Sequence, residues 1–126
     1  MLEVLKIQNI ADQAELCEKC GIKYDPRCMA YEVRVDQETL GIITFYMGAG
    51  VGYLCDIKSL PNVKDENAFF IAARGALDFM NLHGAEQAFF LNPESCGINL
   101  AKKIGFSQKN EVWTMNLSGF FTNHAH

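Results

Sequence analysis

Proline is scarce in this chain of 126 residues, with three in all, and tryptophan occurs once. No stretch is apolar over the roughly 18 positions that a membrane-crossing helix needs, so a membrane partner is not expected. Basic residues form no stripe. The 11 lysines and arginines stand against 15 acidic residues for a net charge of −4, and Lys102-Lys103 is the one adjacent basic pair. Nucleic-acid binders carry a basic patch, so that class of partner is not expected either. Repeats, low-complexity stretches and linkers are missing, which excludes solenoids and disordered tethers. The opening MLEVLKIQNI has neither a basic start nor a long apolar centre, so it does not read as a secretory signal.

Cysteine is plentiful, but a pairing framework is missing. Cys17, Cys20, Cys28, Cys55 and Cys96 make an odd count of five. Without a secretory signal this points to a reducing cytosol, and a cytoplasmic location is the expectation. Cys17-Glu18-Lys19-Cys20-Gly21 with Cys28 looks like half a zinc site, yet a closed structural site needs four ligands. No second Cys-x-x-Cys exists, and His124 or His126 would have to fold back from the tail to complete it. The three-residue spacing also places Cys17 and Cys20 on one helix face, and packing of that face is the simpler reading. No metal is expected. Cys55 lies in an apolar strand pattern and reads as a small core residue.

What is present suits one globular domain spanning 1–126. Apolar residues make up 49% and charged residues 21% of the chain, enough to bury a core. Leu2 to Ile7 opens as a strand. Asn9 and Asp12 are candidate caps for a first helix that ends near Gly21, and Asp25-Pro26 marks a loop. Tyr31, Val33 and Val35 alternate with Glu32, Arg34 and Asp36, the period of a half-buried strand. Asp36-Gln37-Glu38 and Gly48-Ala49-Gly50 are turns around a central strand, Leu40 to Met47. In the next strand Tyr53, Cys55 and Ile57 share one face, while Leu54, Asp56 and Lys58 share the other.

After Pro61 the period becomes helical through Phe70, Ala73, Leu77 and Met80. Asp65 and Glu66 favour the start of this helix, and His83 and Gly84 close it, with His83 meeting its last carbonyls. Gly75 in the middle suggests close packing. Ala85 to Leu91 is a short buried strand. Asn92-Pro93-Glu94-Ser95 caps one helix carrying Ile98, Leu100, Ala101 and Ile104 and stopped by Gly105. Trp113, Met115 and Leu117 mark a last strand, and Thr122 to His126 a frayed tail. Phe69-Phe70 and Phe89-Phe90 read as core. Phe120-Phe121 is a candidate cover for a sheet edge or a candidate dimer surface, since an exposed apolar pair favours association. The order predicts an α/β (α+β mixed) domain, a mixed and mostly antiparallel sheet flanked by helices.

Asn99-Leu100-Ala101-Lys102-Lys103-Ile104-Gly105-Phe106 resembles the helix ending in a hydrophobic residue, Gly and Phe that precedes the last strands of GNAT-type N-acetyltransferases. The strand Leu54 to Leu60 closing on Pro61, the loop and long helix after it, and the strand ending at Asn92 are similar to that superfamily too. The resemblance covers nearly the whole chain, as a divergent member. It implies a GNAT-like sheet and acyl transfer from acetyl-CoA, as co-substrate, to an amine acceptor. Two departures stand out. The family's loop carries an Arg or Gln and two glycines that cradle the CoA pyrophosphate at a helix N-terminus, whereas Asn62-Val63-Lys64-Asp65-Glu66-Asn67 has no glycine and two carboxylates. The Tyr that often protonates the departing CoA thiolate is matched by Ala101, and the Asn that often opens the helix by Glu94.

The chemistry the resemblance implies needs a base for the amine and donors for the thioester oxygen. Asp56 is the candidate base. Tyr46, Tyr53 and Cys96 are candidate acids. Backbone N–H groups of the strand before Pro61 are the candidate donors, and Ile57, Ser59, Lys64, Asn67, Asn92 and Asn99 the candidate CoA contacts. The plain alternatives are a salt-bridged Asp56 and amphipathic packing for Tyr46 and Tyr53. Two other readings compete with the enzyme: a catalytically silent binding module that kept the fold, and a zinc-dependent interaction domain built on the first helix.

Overall fold

The first helix starts where its cap residue lies. In the computed structural model, which describes residues 1–118, Asn9 Oδ1 accepts the Ala11 N–H at 2.7 Å, and α1 spans Ile10–Cys20. It stops at Gly21, which sits in the left-handed region (φ 78°) that glycine enters without a Cβ penalty. α1 follows a short strand, β1 (Leu2–Lys6). Next comes the antiparallel meander of β2 (Met29–Val35), β3 (Glu38–Gly48) and β4 (Val51–Ser59). α2 (Glu66–Leu82) leads to β5 (Gln87–Phe90), a 3-10 turn (Pro93–Ser95), α3 (Ile98–Ile104), β6 (Ser107–Lys109) and β7 (Val112–Asn116).

The described strands form one sheet in the order β1-β2-β3-β4-β5-β7-β6. Only β4 and β5 pair in parallel. The α/β expectation, a mixed and mostly antiparallel sheet with helices on its faces, is what the chain adopts. α2 and α3 cover one face, where Leu77, Met80, Ala101 and Ile104 meet Phe45, Leu54 and Ile57, all at most 1% exposed. α1 covers part of the other, packing Leu16, Cys17 and Cys20 on Ala30 and Ile42. Each fully buried aliphatic or aromatic side chain is worth about 1.5–3 kcal/mol. Buried Gln13 donates from Nε2 to the Cys28 carbonyl at 3.0 Å and so ties the loop after α1 to the helix.

Four expectations need correction. The face assignment in β4 reverses midway: Thr44 pairs with Asp56 but Phe45 with Leu54, so Cys55 is an extra, bulged residue. Leu54 and Ile57, three apart, therefore share the α2 face, and Ile57 does not share Tyr53's. Cys55 is half-buried rather than core. The helix expected from Asn92 onward is broken at Cys96-Gly97 into the 3-10 turn and α3. Gly75 is exposed, and a Cβ there would meet nothing within 4 Å. The short exposed strand β6 was not foreseen, because Ser107-Gln108-Lys109 has no apolar period. The calls on Phe120-Phe121, His124, His126 and the tail from Thr122 lie outside the described residues.

Gly41 is the position where packing does demand a glycine. A Cβ there would overlap the Lys58 carbonyl oxygen and sit 2.7 Å from Phe69 Cζ and 2.8 Å from Ser59 Cα. Gly41→Ala should therefore destabilise by about 2–3 kcal/mol through overpacking against backbone. Gly75→Ala, on the open side of α2, should stabilise by about 1 kcal/mol. Urea unfolding of both variants checks the opposite signs.

Candidate functional site

β4 and β5 run together for only four residue pairs, Val51–Leu54 against Gln87–Phe90. The last rung is Leu91 N–H to the Leu54 carbonyl at 2.8 Å. Beyond it the chain leaves the sheet at Asn92-Pro93, where proline has no N–H to continue the ladder. β4 continues to Ser59, so its free edge opens a wedge-shaped gap.

Side chains bridge that gap. The Ile57 N–H donates to Ser95 Oγ at 3.0 Å, and the Ser95 hydroxyl donates to the Asn92 carbonyl at 2.7 Å. Asn92 Nδ2 donates to Asp56 Oδ1 at 2.7 Å, and the Asp56 N–H donates to Thr44 Oγ1 at 3.1 Å. The free edge is thus held by two side chains, Ser95 and Asn92, while Thr44 binds Asp56 from β3 on the paired side.

A cavity of about 350 Å³ lies on the α2 side, with Ile57, Ser59, Lys64, Asp65, Ser95 and Cys96 in its wall. A second, also about 350 Å³, lies against the loop after α1, with Tyr24, Asp25, Cys28, Thr44, Cys55 and Asp56 in its wall. Adjacent residues of β4, Asp56 and Ile57, therefore belong to different cavities. Asp65 is the N-cap of α2, its Oδ1 accepting the Ala68 N–H at 3.1 Å. Glu66 faces Lys103 Nζ at 3.5 Å across the α2–α3 groove. Arg74 Nε donates to the Ile104 carbonyl at 2.8 Å and so ties α2 to the end of α3.

The structure brings some of the foreseen residues together and separates others. Ile57, Ser59, Lys64 and Cys96 share the α2-side cavity. Asp56 and Asn92 meet at the gap. Asn67 and Asn99 are exposed on the outer sides of α2 and α3 and do not line the cavity. Tyr53 alternates with Leu54 and so points to the face opposite Cys96. There its ring stacks on Tyr46 (centroids 4.7 Å apart) and on Phe89 (6.0 Å), and Arg27 sits 5.1 Å from the Tyr46 centroid. Ala101, in the place of the family's tyrosine, is fully buried and offers no hydroxyl. His83 does meet its helix, with Nδ1 2.9 Å from the Phe79 carbonyl.

Sequence reasoning missed Ser95 and Thr44. Both are small hydroxyl residues whose partners lie 38 and 12 positions away. Gly97, at φ 97°, was the one local sign that the turn around Ser95 is separate from α3.

The thiols differ in character. Cys28 and Cys55 lie with Sγ atoms 3.5 Å apart. The Cys28 thiol donates to Cys55 Sγ and the Cys55 thiol to the Tyr53 carbonyl. Their mutual hydrogen bond shifts Cys28 below the ordinary thiol range and pushes Cys55 up, with burial adding to the rise. Burial raises Cys17, and raises Cys20 to about 11 and Cys96 to about 12. Hydrogen bonds from Arg27 lower Asp25 to about 2. Among the described residues no group of three or more His, Cys, Asp or Glu is placed to hold a metal ion. Cys17 and Cys20 instead pack beneath α1.

No protein-family model matches the chain, and no curated protein matches it. Solved structures do. The PaiA N-acetyltransferase of Thermoplasma acidophilum, in complex with coenzyme A, superposes with a TM-score of 0.70 over 92% of this chain and 99% of its own, at 14% identity. The ribosomal-protein-S18-alanine N-acetyltransferase of Escherichia coli gives 0.71 over 94% and 95%, at 8% identity. A GNAT-family acetyltransferase of Brucella melitensis, in complex with acetyl-CoA, gives 0.67 over 92% and 88%, at 16% identity. The fold is that of the GNAT N-acetyltransferases.

Thiolate, not thiol, reacts with alkylating agents. Cys96 should therefore react with iodoacetamide at a rate that climbs about tenfold per pH unit to beyond pH 11, whereas an exposed peptide thiol levels off above its ordinary value of about 8.5. Peptide mapping after timed labelling reads both. The sign for stability follows from the same raised values. The contribution of buried Cys20 and half-buried Cys96 is intact below about pH 8.5 and is lost as pH rises toward about 12.

Proposed function

Starting from a chain with the fold of GNAT N-acetyltransferases, we propose that it is an acyl-CoA-dependent N-acyltransferase that moves an acetyl group from acetyl-CoA to an amine. The observation that carries this reading is the pair of cavities on either side of the β4 gap. A thioester reaching in from the α2 side and an amine from the loop side would meet at Asp56-Ile57. Asp56, oriented by Asn92, then accepts the proton of the attacking amine. Ile57 and Ser59 flank the thioester arm, and Lys64 offers positive charge to the diphosphate. Asn67 and Asn99, on the surface, are left to the outer parts of CoA. Cys96, in the α2-side wall, is the candidate acid for the departing CoA thiolate, with solvent as the competing proton source because burial makes it a weaker acid than an ordinary thiol. Tyr53 is too far round the strand to share that task. Five cysteines, none in a disulfide, suit the reducing cytoplasm.

A second reading, a silent binding module on the same fold, is favoured by one observation. Asp65 already fills the anion position at the start of α2, taking the Ala68 N–H that a diphosphate would use. Calorimetric titration separates the two. Micromolar binding of acetyl-CoA, with free CoA as control, supports the transferase, and no binding at millimolar ligand supports the module. Asp65→Ser keeps a cap oxygen but removes the charge. It should tighten CoA binding about two- to fivefold, the affinity equivalent of one charge at a helix N-terminus. Unchanged affinity would mean that the diphosphate does not sit there.

A further inference from the structure

Resting on the transferase reading, we propose that Ser95 is a further catalytic residue, whose hydroxyl carries the Ile57 amide's hydrogen bond onward to the thioester carbonyl. The direct backbone donor at the free edge of β4 is already engaged, since the Ile57 N–H ends on Ser95 Oγ at 3.0 Å. A carbonyl entering the gap meets that hydroxyl first. A hydroxyl has one proton and two lone pairs, so it can accept from Ile57 and donate to a third group at the same time. At rest the third group is the Asn92 carbonyl, 2.7 Å away.

The switch costs little. The Asn92 carbonyl also accepts the Ser95 backbone N–H at 3.1 Å, so it stays partnered when the hydroxyl turns toward a substrate. The 3-10 turn holds the residue in place through Cys96 N–H and Gly97 N–H to the Pro93 carbonyl, at 3.3 and 3.0 Å. Three others in the wall, Cys96, Asp65 and Glu66, suit the task less. Cys96 Sγ is directed to the Pro93 and Gly97 carbonyls at 3.6 and 3.5 Å, and ionised Asp65 and Glu66 only accept.

The chemical step balances without another reagent. The amine nitrogen attacks the carbonyl carbon and the C=O electron pair moves to oxygen, where the Ser95 hydroxyl holds the negative charge with the Ile57 amide polarising it from behind. The pair returns, the C–S bond breaks and the amine's proton goes to Asp56. The CoA sulfur leaves as thiolate and takes a proton from Cys96 or from solvent, which the proton released by Asp56 replaces, so no net proton is gained or lost.

The test reads the carbonyl itself and needs no acceptor: infrared difference spectroscopy of [1-13C]acetyl-CoA bound to the full chain. The expected result is a carbonyl stretch at lower wavenumber than in solution. In Ser95→Ala the shift disappears while the calorimetric Kd stays within threefold, and in Ser95→Thr, which keeps the hydroxyl, it returns. Should Ser95→Ala unfold by circular dichroism, Ser95→Cys, of similar size but a weak donor, replaces it and should lose most of the shift. Once an acceptor is known, loss of this donor should lower kcat about 10²- to 10³-fold with KM little changed. A shift equal in wild type and Ser95→Ala overturns the proposal, as does tighter binding by Ser95→Ala with an unmoved stretch, which would make the serine a plug. No binding of acetyl-CoA to the wild type defeats the transferase reading itself, a result distinct from bound ligand with no shift.

Discussion

The parting of β4 from β5 is the constraint on which the rest depends. A parallel ladder of four pairs ends because Asn92-Pro93 turns away, and everything in the candidate site is a response to the free edge this leaves. Unpaired backbone N–H groups at such an edge cost free energy unless a side chain or ligand takes them. Ser95 takes the one at Ile57. The bulge at Cys55 belongs to the same device. It lets Leu54 and Ile57 both bury against α2, and leaves Asp56 free to face the other cavity. Without that extra residue, strict alternation would turn Ile57 outward at the cost of a buried aliphatic side chain, about 1.5–3 kcal/mol.

The start of α2 carries a tension between folding and binding. A helix N-terminus attracts negative charge whether it is a side chain or a phosphate. Here Asp65 satisfies the helix locally, and Glu66 beside it faces Lys103. Local stability is thereby secured by groups that a diphosphate must share or displace. That arrangement leaves the cavity open, with Lys64 and the β4 edge still in its wall.

Local signals were legible in the sequence and non-local ones were not. Asn9, Gly21 and Asp65 act within three or four residues of themselves, so their caps were readable, as were the turns at Asp36-Gln37 and Ala49-Gly50, which lie at positive φ. The apolar period of α2 gave its buried face. Gly75 was misread because composition cannot tell a glycine that admits a neighbour from one that faces water. The β4 bulge falls on a cysteine rather than a glycine, and nothing nearby marks it. At the site, Asp56 and Asn92 were picked out singly, but their bond spans 36 residues. Ser95 was taken for a helix cap because Asn-Pro-Glu-Ser satisfies that pattern equally well.

The losses and the bridge at the gap then have a common logic. A family-like site uses glycine amides for phosphate and a tyrosine for the thiolate; here Asp65 stands at the first and buried Ala101 at the second. The remaining polarity is concentrated where β4 is unpaired, as hydrogen bonds running from Asp56 through Asn92 and Ser95 to Ile57. Such a chain keeps each backbone group partnered before any ligand arrives. Linked hydrogen bonds polarise one another, and Asn92 takes part in two of them. A substrate carbonyl at Ser95 would therefore bear on Asn92 and, through it, on the orientation of Asp56. The two sides of the strand are thereby linked through three residues, Ser95, Asn92 and Asp56.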